Sequence, residues 1–422
     1  MTTATGVAKK VAFIKETTFN TLVTAGSVTS AQYLRRVTSD IDLSKDTYSS
    51  NEIRTDYQVA DMRHGMRKVG GTLKAELSPG SFQGFMQAMF RKNFTAVSAD
   101  AAIASLTLAL VSTGLYSIQR ASGYLAKGYK AGMVVRITDG WTAGQTASYA
   151  NLNKNLFITD CTDTLMTVMP WGDQALFITT NAATATIAAS GKYTYTPETG
   201  HTSDSFQIEH WYSDISRGEV FSGCRIDTMD INLPSTGMAT VDFGVLGANM
   251  NTGINGTWAG TSQYFSSPTA ANSIGVLTGV SGVLRVGGST MATVTGISFK
   301  AEGGMSVGSV VGSNVTPDVF PGRVKVSGQL TAYFDSVTLR DLFLHETKFE
   351  VLAALYSTTA DASDFISFGL YNCKANGASK SDGEQGLIVT MPFVGLFNGT
   401  PATNTTDDTL RTTMMVQDSQ AA

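Results

Sequence analysis

Charged residues are scarce in this chain, at 15% of 422 residues, whereas a soluble chain usually carries about a quarter. The 30 basic and 34 acidic residues nearly cancel, which leaves a formal charge of −4. A protein that holds nucleic acid through its phosphates carries a basic excess, so that class is excluded. Hydrophobic residues make up 42%, enough for a packed core and too many for a chain that is disordered throughout.

Cysteine and histidine are also rare. The chain has only three cysteines and four histidines, each far from the next of its kind: Cys161, Cys224, Cys373, His64, His201, His210 and His345. The cysteines form no CxxC pair and the histidines no HExxH motif, which argues against a disulfide scaffold, a zinc ribbon or a zinc protease. We therefore expect no metal and no cofactor.

Patterns that carry catalysis are missing as well. The chain has no nucleophile elbow, phosphate loop or dinucleotide fingerprint in the required strand-to-helix context. Asp40 and Asp42 lie on one face of a strand, but glycoside hydrolysis needs two carboxylates that converge on a sugar cleft. Paired surface acids are the better interpretation, and we expect no enzyme activity.

Long apolar runs are absent too. The uncharged stretch Ala101–Ile118 is diluted by Ser, Thr and Gly and alternates in polarity, which favours a half-buried strand over a membrane span. The N-terminus lacks the apolar core of a signal peptide. The sequence thus predicts a chain made in the cytoplasm, with no membrane partner.

Short alternating runs, separated by Gly, Asn, Asp and Ser, predict a mainly β fold. Helical spacing is clear in two places only. One helix follows Ser78 and Pro79, with Ser78 as its cap, and the other follows Asp335 as its cap. We predict two tandem β-sandwich or barrel units, each with one short helix.

An internal repeat supports the two units. DMRHGMRKVGGTLKAEL begins at Asp61 and DVFPGRVKVSGQLTAYF at Asp318, and they share seven identities over Asp61–Ala75 at a constant offset of 257. Upstream, Ile41 and Leu43 match Ile297 and Phe299 after one deletion. Downstream, the Phe206 and Phe349 segments match at an offset of 143, and the Val241 and Val389 segments at 148.

The drop in offset implies about 110 extra residues after the first helix. They carry strand patterns of their own, so we interpret them as a small β domain inserted at a surface loop. The sequence predicts a first unit formed by 1–95 and 204–249, an inserted domain at 96–203, a connecting arm at 250–290, a second unit at 291–402 and a polar tail at 403–422. We expect the arm to become ordered only on assembly.

Period-two alternation divides the repeated strand into two faces. The apolar face should pack on the helices. The polar face should line a lumen or contact a neighbouring subunit, and its candidate residues, together with the two nearby aspartates, are Asp40, Asp42, Lys68, Thr72, Lys74, Glu76, Lys325, Gln329 and Thr331.

Several blocks resemble the tail tube proteins of long, non-contractile-tailed bacteriophages. They are AFIKETTFNT from Ala12, AQYLRRVTSDIDL from Ala31, RHGMRKVGGTLKAELSPGSFQGFMQAMFRK from Arg63, SFQIEHWYSDISRGEVFSGCRIDTMDINL from Ser205 and PDVFPGRVKVSGQLTAYFDSVTLRDLFLHETKFEV from Pro317. The resemblance covers nearly the whole chain. It implies stacked rings whose inner wall is a continuous β-barrel, commonly built from six folds. A duplicated chain would then form homotrimeric rings with pseudo-sixfold symmetry.

The same resemblance implies a structural virion protein, assembled in the host cytoplasm, with tape-measure, terminator and distal tail proteins as partners. Genomic DNA would pass through without specific binding. With four inner strands per fold, a barrel of 24 strands spaced ~4.8 Å apart and tilted by up to ~40° leaves a bore of roughly 26–36 Å. A DNA duplex about 20 Å wide fits this bore. The alternatives are another virion β protein, such as a capsid decoration or tail fibre component, and the tube of a contractile injection system.

Overall fold

The computed structural model describes residues 3–25, 30–97, 99–103, 106–139, 152–171, 176, 185–253, 258–291, 293–382, 386–398 and 412–421. Across these ranges the fold is mainly β with two short helices, α1 (Gln83–Phe90) and α2 (Thr338–Leu344), and a 3₁₀ turn at Leu125–Lys127. The predicted fold class is confirmed.

The strands up to the end of the first unit are β1 (Lys9–Lys15), β2 (Gln32–Tyr33), β3 (Thr38–Ser39), β4 (Asp42–Ser49), β5 (Met62–Glu76), β6 (Asp100–Ile103), β7 (Thr107–Ser112), β8 (Leu115–Gln119), β9 (Val134–Asp139), β10 (Leu156–Cys161), β11 (Leu165–Pro170), β12 (Ala185–Ala189), β13 (Lys192–Tyr195), β14 (Phe206–Tyr212), β15 (Arg217–Pro234), β16 (Thr240–Gly247) and β17 (Asn249–Asn251). The remaining strands are β18 (Gly282–Val286), β19 (Ser289–Thr290), β20 (Val294–Glu302), β21 (Ser306–Val307), β22 (Val319–Phe320), β23 (Lys325–Tyr333), β24 (Phe349–Tyr356), β25 (Phe365–Ala375), β26 (Ser379–Lys380), β27 (Ile388–Gly395) and β28 (Met415–Asp418).

Two groups of strands repeat one antiparallel order. In the first unit the order is β3/β4–β5–β16–β15, and in the second unit it is β20–β23–β27–β25/β26. The last strand of the first unit, β15, pairs directly with the first strand of the second, β20, from Thr228 opposite Glu302 to Pro234 opposite Gly296. Eight strand positions therefore form one continuous wall, called here the shared sheet.

A second layer covers each half of the shared sheet. In the first unit it contains β2, β1, β14 and the start of β15, and in the second unit β18, β24, β25 and β28. The core between the layers is apolar and continuous across both units. Phe82, at the N-cap of helix α1, and Phe85 within the helix have rings 5.7 and 5.4 Å from the ring of Phe243 in β16, so the helix anchors the first unit's wall strands.

The segment 100–189 forms a separate seven-stranded antiparallel sheet in the order β6-β12-β9-β10-β11-β8-β7. One face of this sheet packs on the second unit. In the sequence, however, the segment lies between two parts of the first unit. Trp171 is 1% exposed, and its ring lies 4.9 Å from that of Tyr356 and 5.8 Å from that of Phe365. The inserted sheet thus ties the two units together on the side opposite the shared sheet's free face.

Three expectations about local structure were wrong. Helix α1 begins at Gln83, with Phe82 at the N-cap, and the hydroxyl of Ser78 instead bonds that of Ser81 at 2.7 Å. Helix α2 has Val337 at its N-cap. Strand pairing also aligns Ile41 with Phe299 and not with Ile297. Gly70 and Ser327 are equivalent in the repeat, and they lie opposite Asp42 and Lys300 respectively. Asp42 is therefore equivalent to Lys300, and the residue before each, Ile41 and Phe299, is equivalent too.

The predicted polar tail and the predicted arm also differ from the structure. Residues 399–411 lie outside the described residues, but Met415–Asp418 form a buried strand between β13 and β25, because Met415 and Val416 have apolar cores on both sides. In the arm, Phe265 and Leu277 are fully buried. The carboxylate of Glu209 accepts hydrogen bonds from the backbone N–H groups of Tyr264 (2.6 Å) and Phe265 (3.3 Å), so this part of the arm is ordered within the single chain.

Candidate functional site

The candidate site is the free face of the shared sheet, turned away from the core. Alternation along each strand places apolar residues such as Val69 and Leu73 in the core and the intervening polar residues on the other side. All nine residues predicted from the sequence lie on this free face: Asp40, Asp42, Lys68, Thr72, Lys74, Glu76, Lys325, Gln329 and Thr331. Whether the face lines a lumen stays a prediction.

Sequence reasoning missed the contribution of β15, β16 and β20 to the same face. Asp230, Asp242, Lys300 and Glu302 belong to it by strand register. Only the alternation of polar and apolar residues within these three strands could have revealed them.

A row of charges crosses the junction between the two units. Lys74 lies opposite Asp242, Asp242 opposite Asp230, and Asp230 opposite Lys300. The Lys74 ammonium is 3.5 Å from the Asp242 carboxylate. Burial raises the pKa of Asp230, and Lys300 acts in the opposite direction.

The other lysines on the face also lie beside carboxylates. Lys300 pairs with Glu302 at 2.8 Å and Lys68 with Asp46 at 3.1 Å. Lys325 lies opposite Glu302 and contributes to the lowered pKa of that carboxyl, after the dominant hydrogen bond from Lys300. Among the free-face residues named so far, the six carboxylates of Asp40, Asp42, Glu76, Asp230, Asp242 and Glu302 outnumber the four lysines, so this group carries no net positive charge that would attract a polyanion.

Hydrogen bonds hold Asp40 and Thr331 in place. The Asp40 carboxylate accepts from the backbone N–H of Thr72, which fixes the turn between β3 and β4 against β5. The Thr331 hydroxyl bonds the Thr295 hydroxyl at 3.1 Å and donates to the Gly296 carbonyl at 3.1 Å. These contacts stabilise the wall.

The two ends of the shared sheet carry open backbone edges. At one end is the outer edge of β3 and β4, residues 38–44, called here the leading edge. At the other is the outer edge around β26, residues 377–381, called the trailing edge. Each pairs on its inner side only, with β5 and β27 respectively, among the strands that the structure describes. Open edges of this kind are templates for pairing with another chain.

Metal-ligand clusters and exposed thiols are both absent from the described residues. No group of three or more His, Cys, Asp or Glu residues in the described ranges could hold a metal ion. All three cysteines are buried and unbridged, and burial raises the pKa of the Cys161 and Cys373 thiols to about 12. No helix in the described part of the chain is long and apolar enough to cross a membrane.

A duplicated β sandwich with a polar free face and two open edges defines a class of structural subunits suited to edge-to-edge assembly. The chain belongs to the phage tail tube protein family, whose sequence profile matches residues 6–419. It is therefore a structural component of a bacteriophage tail. No match was found among curated proteins.

Proposed function

We propose that three copies of this chain close into a ring with pseudo-sixfold symmetry, and that stacked rings form the tail tube. The observation that carries the proposal is the β15–β20 pairing, which joins the two units inside one chain. The trailing edge is the second unit's counterpart of β15, and the leading edge is the first unit's counterpart of β20. A neighbouring chain can therefore repeat the internal junction, and eight strand positions from each of three chains give the 24 expected for the barrel.

Strand register turns this proposal into named residue pairs. In the first unit, β15 places Arg225 opposite Leu246 and Asp230 opposite Asp242. In the second unit, β25 and β26 place Lys374 opposite Val394 and Ser379 opposite Thr390. Residues of β15 therefore correspond to residues of β25 and β26 that lie 149 positions later. The strands β4 and β20 correspond at an offset of 258. The internal pair Asp230–Lys300 then becomes Ser379 of one protomer opposite Asp42 of the next.

The proposed tube lets genomic DNA pass without specific binding. Support comes from the free face, where every named lysine lies beside a carboxylate, because unpaired Lys and Arg would bind phosphates and slow the duplex. The proposed function involves no enzyme activity. Assembly in the host cytoplasm, a tail without a contractile sheath, and contacts with tape-measure, terminator and distal tail proteins belong to the proposal through the sequence resemblance.

The predicted division of the chain at residues 95/96, 203/204, 249/250 and 290/291 stays a proposal, and the boundary at 402/403 lies outside the described residues. The separate sheet at 100–189 supports an inserted module. In the proposed tube this module lies on the outside, because it covers the second unit on the side opposite the free face.

Disulfide trapping tests the ring. In Asp42→Cys/Ser379→Cys, the two thiols lie directly opposite across the proposed junction. Opposite Cβ atoms in an antiparallel pair are about 4.5–5.5 Å apart, so a shift of about 1 Å brings them to the separation of about 3.5–4.5 Å that a disulfide needs. Oxidised assemblies should give covalent dimers and trimers on a denaturing gel and nothing larger. The matched control, Asp42→Cys/Lys380→Cys, places the thiols on opposite faces of the sheet and should not bridge.

The outcome decides two points separately. A ladder that stops at a number other than three would overturn the trimer. Assembled tubes without any cross-link would overturn the edge pairing. The native cysteines should not interfere, because all three are buried.

A further inference from the structure

The loop between the first two strands of each unit has very different surroundings in the two units. In the second unit it spans residues 303–324 between β20 and β23, called here the second-unit loop. In the first unit it spans residues 50–61 between β4 and β5, called the first-unit loop. The second-unit loop packs against the first unit, whereas the first-unit loop projects, with Ile53 and Tyr57 100% and 98% exposed.

One ion pair and one hydrogen bond, both made by Arg225, hold the second-unit loop. Arg225 of β15 is buried, and its guanidinium makes a 2.8 Å ion pair with Asp318. The same guanidinium donates to the carbonyl of Val319 at 2.7 Å, and Val319 is fully buried.

Backbone contacts extend the same docking. The Asp227 carbonyl accepts from the Gly303 N–H at 2.6 Å, and the Asp227 carboxylate accepts from the Met305 N–H at 2.7 Å. The backbone N–H of Arg67 in β5 donates to the Asn314 carbonyl at 2.7 Å. The loop is therefore held by the unit that precedes it in the shared sheet.

The counterparts of these residues are present but apart in the single chain. Lys374 corresponds to Arg225 by strand register, and Asp61 and Met62 correspond to Asp318 and Val319 by the 257-residue repeat. Lys374 instead pairs with Glu346 at 2.6 Å, with side chains 40% and 77% exposed. Asp61 pairs with Arg63 at 2.6 Å, with side chains 52% and 82% exposed, and Met62 is 54% exposed.

We infer that the first-unit loop of one protomer docks on the second unit of the neighbouring protomer, with Asp61 paired to Lys374 of that neighbour and Met62 buried beside it. The partner is a second copy of this chain, because the internal junction already shows the complementary surface, with matching charges at matching positions. The inference rests on the proposed ring, since the leading and trailing edges must pair before the loop and Lys374 can meet.

Charge exchange tests the ion pair. The variants Asp61→Lys and Lys374→Glu each place like charges together at every protomer junction, and each should raise the subunit concentration needed for tube formation by about tenfold. The exchanged double variant should return to within about twofold of the unmodified protein. Sedimentation of tubes over a concentration series measures both values.

A control on the same loop separates pairing from bulk charge. Asp56→Lys makes the same change in charge in the same loop, but Asp56 pairs with Arg54 inside the loop at 2.8 Å and lies outside the repeat that relates Asp61 to Asp318. Asp56→Lys should assemble within about twofold of the unmodified protein. An Asp61→Lys effect no larger than this control, or a double variant that fails to recover, would overturn the loop docking.

The result also separates this inference from the ring itself. If disulfide trapping gives covalent trimers but the exchanged double variant does not recover assembly, the ring is supported and only the loop docking is wrong. In that case, protection of Arg54 and Arg63 from trypsin in assembled tubes would assign the loop to the next ring of the stack. If trapping gives no cross-link in assembled tubes, the edge pairing on which both proposals rest is lost.

Discussion

Two adjacent glycines in β5 allow a sharp test of how the leading edge is held. Gly71 has a φ of +154°, and a Cβ added there would lie 2.5 Å from the Ile41 Cα and 2.8 Å from the Asp40 carbonyl oxygen. A Cβ added at Gly70 would meet nothing closer than the Val245 carbonyl oxygen at 3.9 Å. The variants Gly71→Ala and Gly70→Ala therefore make the same chemical change with different consequences.

The expected magnitude follows from these distances. At Gly71 the obstructing atoms are backbone, so β3 and β4 must move about 1 Å from β5, at a cost of about 1–3 kcal/mol for overpacking. The positive φ, in a region that glycine almost alone adopts, adds about 1–3 kcal/mol. At Gly70 alanine should be neutral or stabilising by up to about 1 kcal/mol, so the two variants should differ by at least about 2 kcal/mol.

Urea denaturation of unassembled chains at pH 7 measures that difference. Gly71→Ala should also need a higher subunit concentration to form tubes, since Asp40 and Ile41 belong to the leading edge. If both alanine variants have free energies of unfolding within about 1 kcal/mol of each other, the close approach of β3 and β4 to Gly71 is wrong.

Three further predictions concern other parts of the chain. Trp171→Ala should destabilise the chain by about 3–5 kcal/mol and expose the 100–189 sheet to limited proteolysis; unchanged stability and digestion would contradict its packing on the second unit. Burial, aided by Lys9 and Arg36, lowers the pKa of His210 to about 3, so its contribution to stability is lost as the pH falls below the unfolded value of about 6.5. At pH 5 this loss is about 2 kcal/mol, and His210→Gln should remove it in denaturation experiments that compare pH 7 with pH 5; an equal pH response in both proteins would refute this. A chain ending at residue 411 loses the buried strand Met415–Asp418 and should fail to fold or melt well below the full-length protein in calorimetry, whereas an unchanged melting temperature would contradict the role of that strand.

The repeated wall strands could be predicted from the sequence because their information is local. Val69, Leu73 and Ala75 alternate with polar residues, and Val326, Leu330 and Ala332 repeat the pattern. The structure places both sets in the core. All nine candidate residues share one face for the same reason.

Other features could not be predicted because they depend on contacts between distant segments. The β15–β20 junction joins strands from two copies of the repeat, and nothing local in either strand specifies its partner. The final strand reads as part of a polar tail in the sequence, and only the structure shows that Met415 and Val416 pack in hydrophobic clusters. The start of α1 was wrong because the hydroxyls of Ser78 and Ser81 bond each other, and the start of α2 was wrong because the Asp335 carboxylate accepts from the Thr293 hydroxyl at 3.3 Å.

The Asp61–Lys374 correspondence illustrates what structure adds to a sequence repeat. The sequence relates Asp61 to Asp318, but only the strand pairing relates Lys374 to Arg225. Together they support the proposal that the contact inside one chain is repeated between chains.

An electron cryomicroscopy map of assembled tubes tests the central claim most directly. We predict three chains per ring around an open bore, with Ser379 of each chain opposite Asp42 of the next and the free face of the shared sheet turned inward. A ring in which these two edges do not pair, or a free face that points away from the axis, would contradict the account.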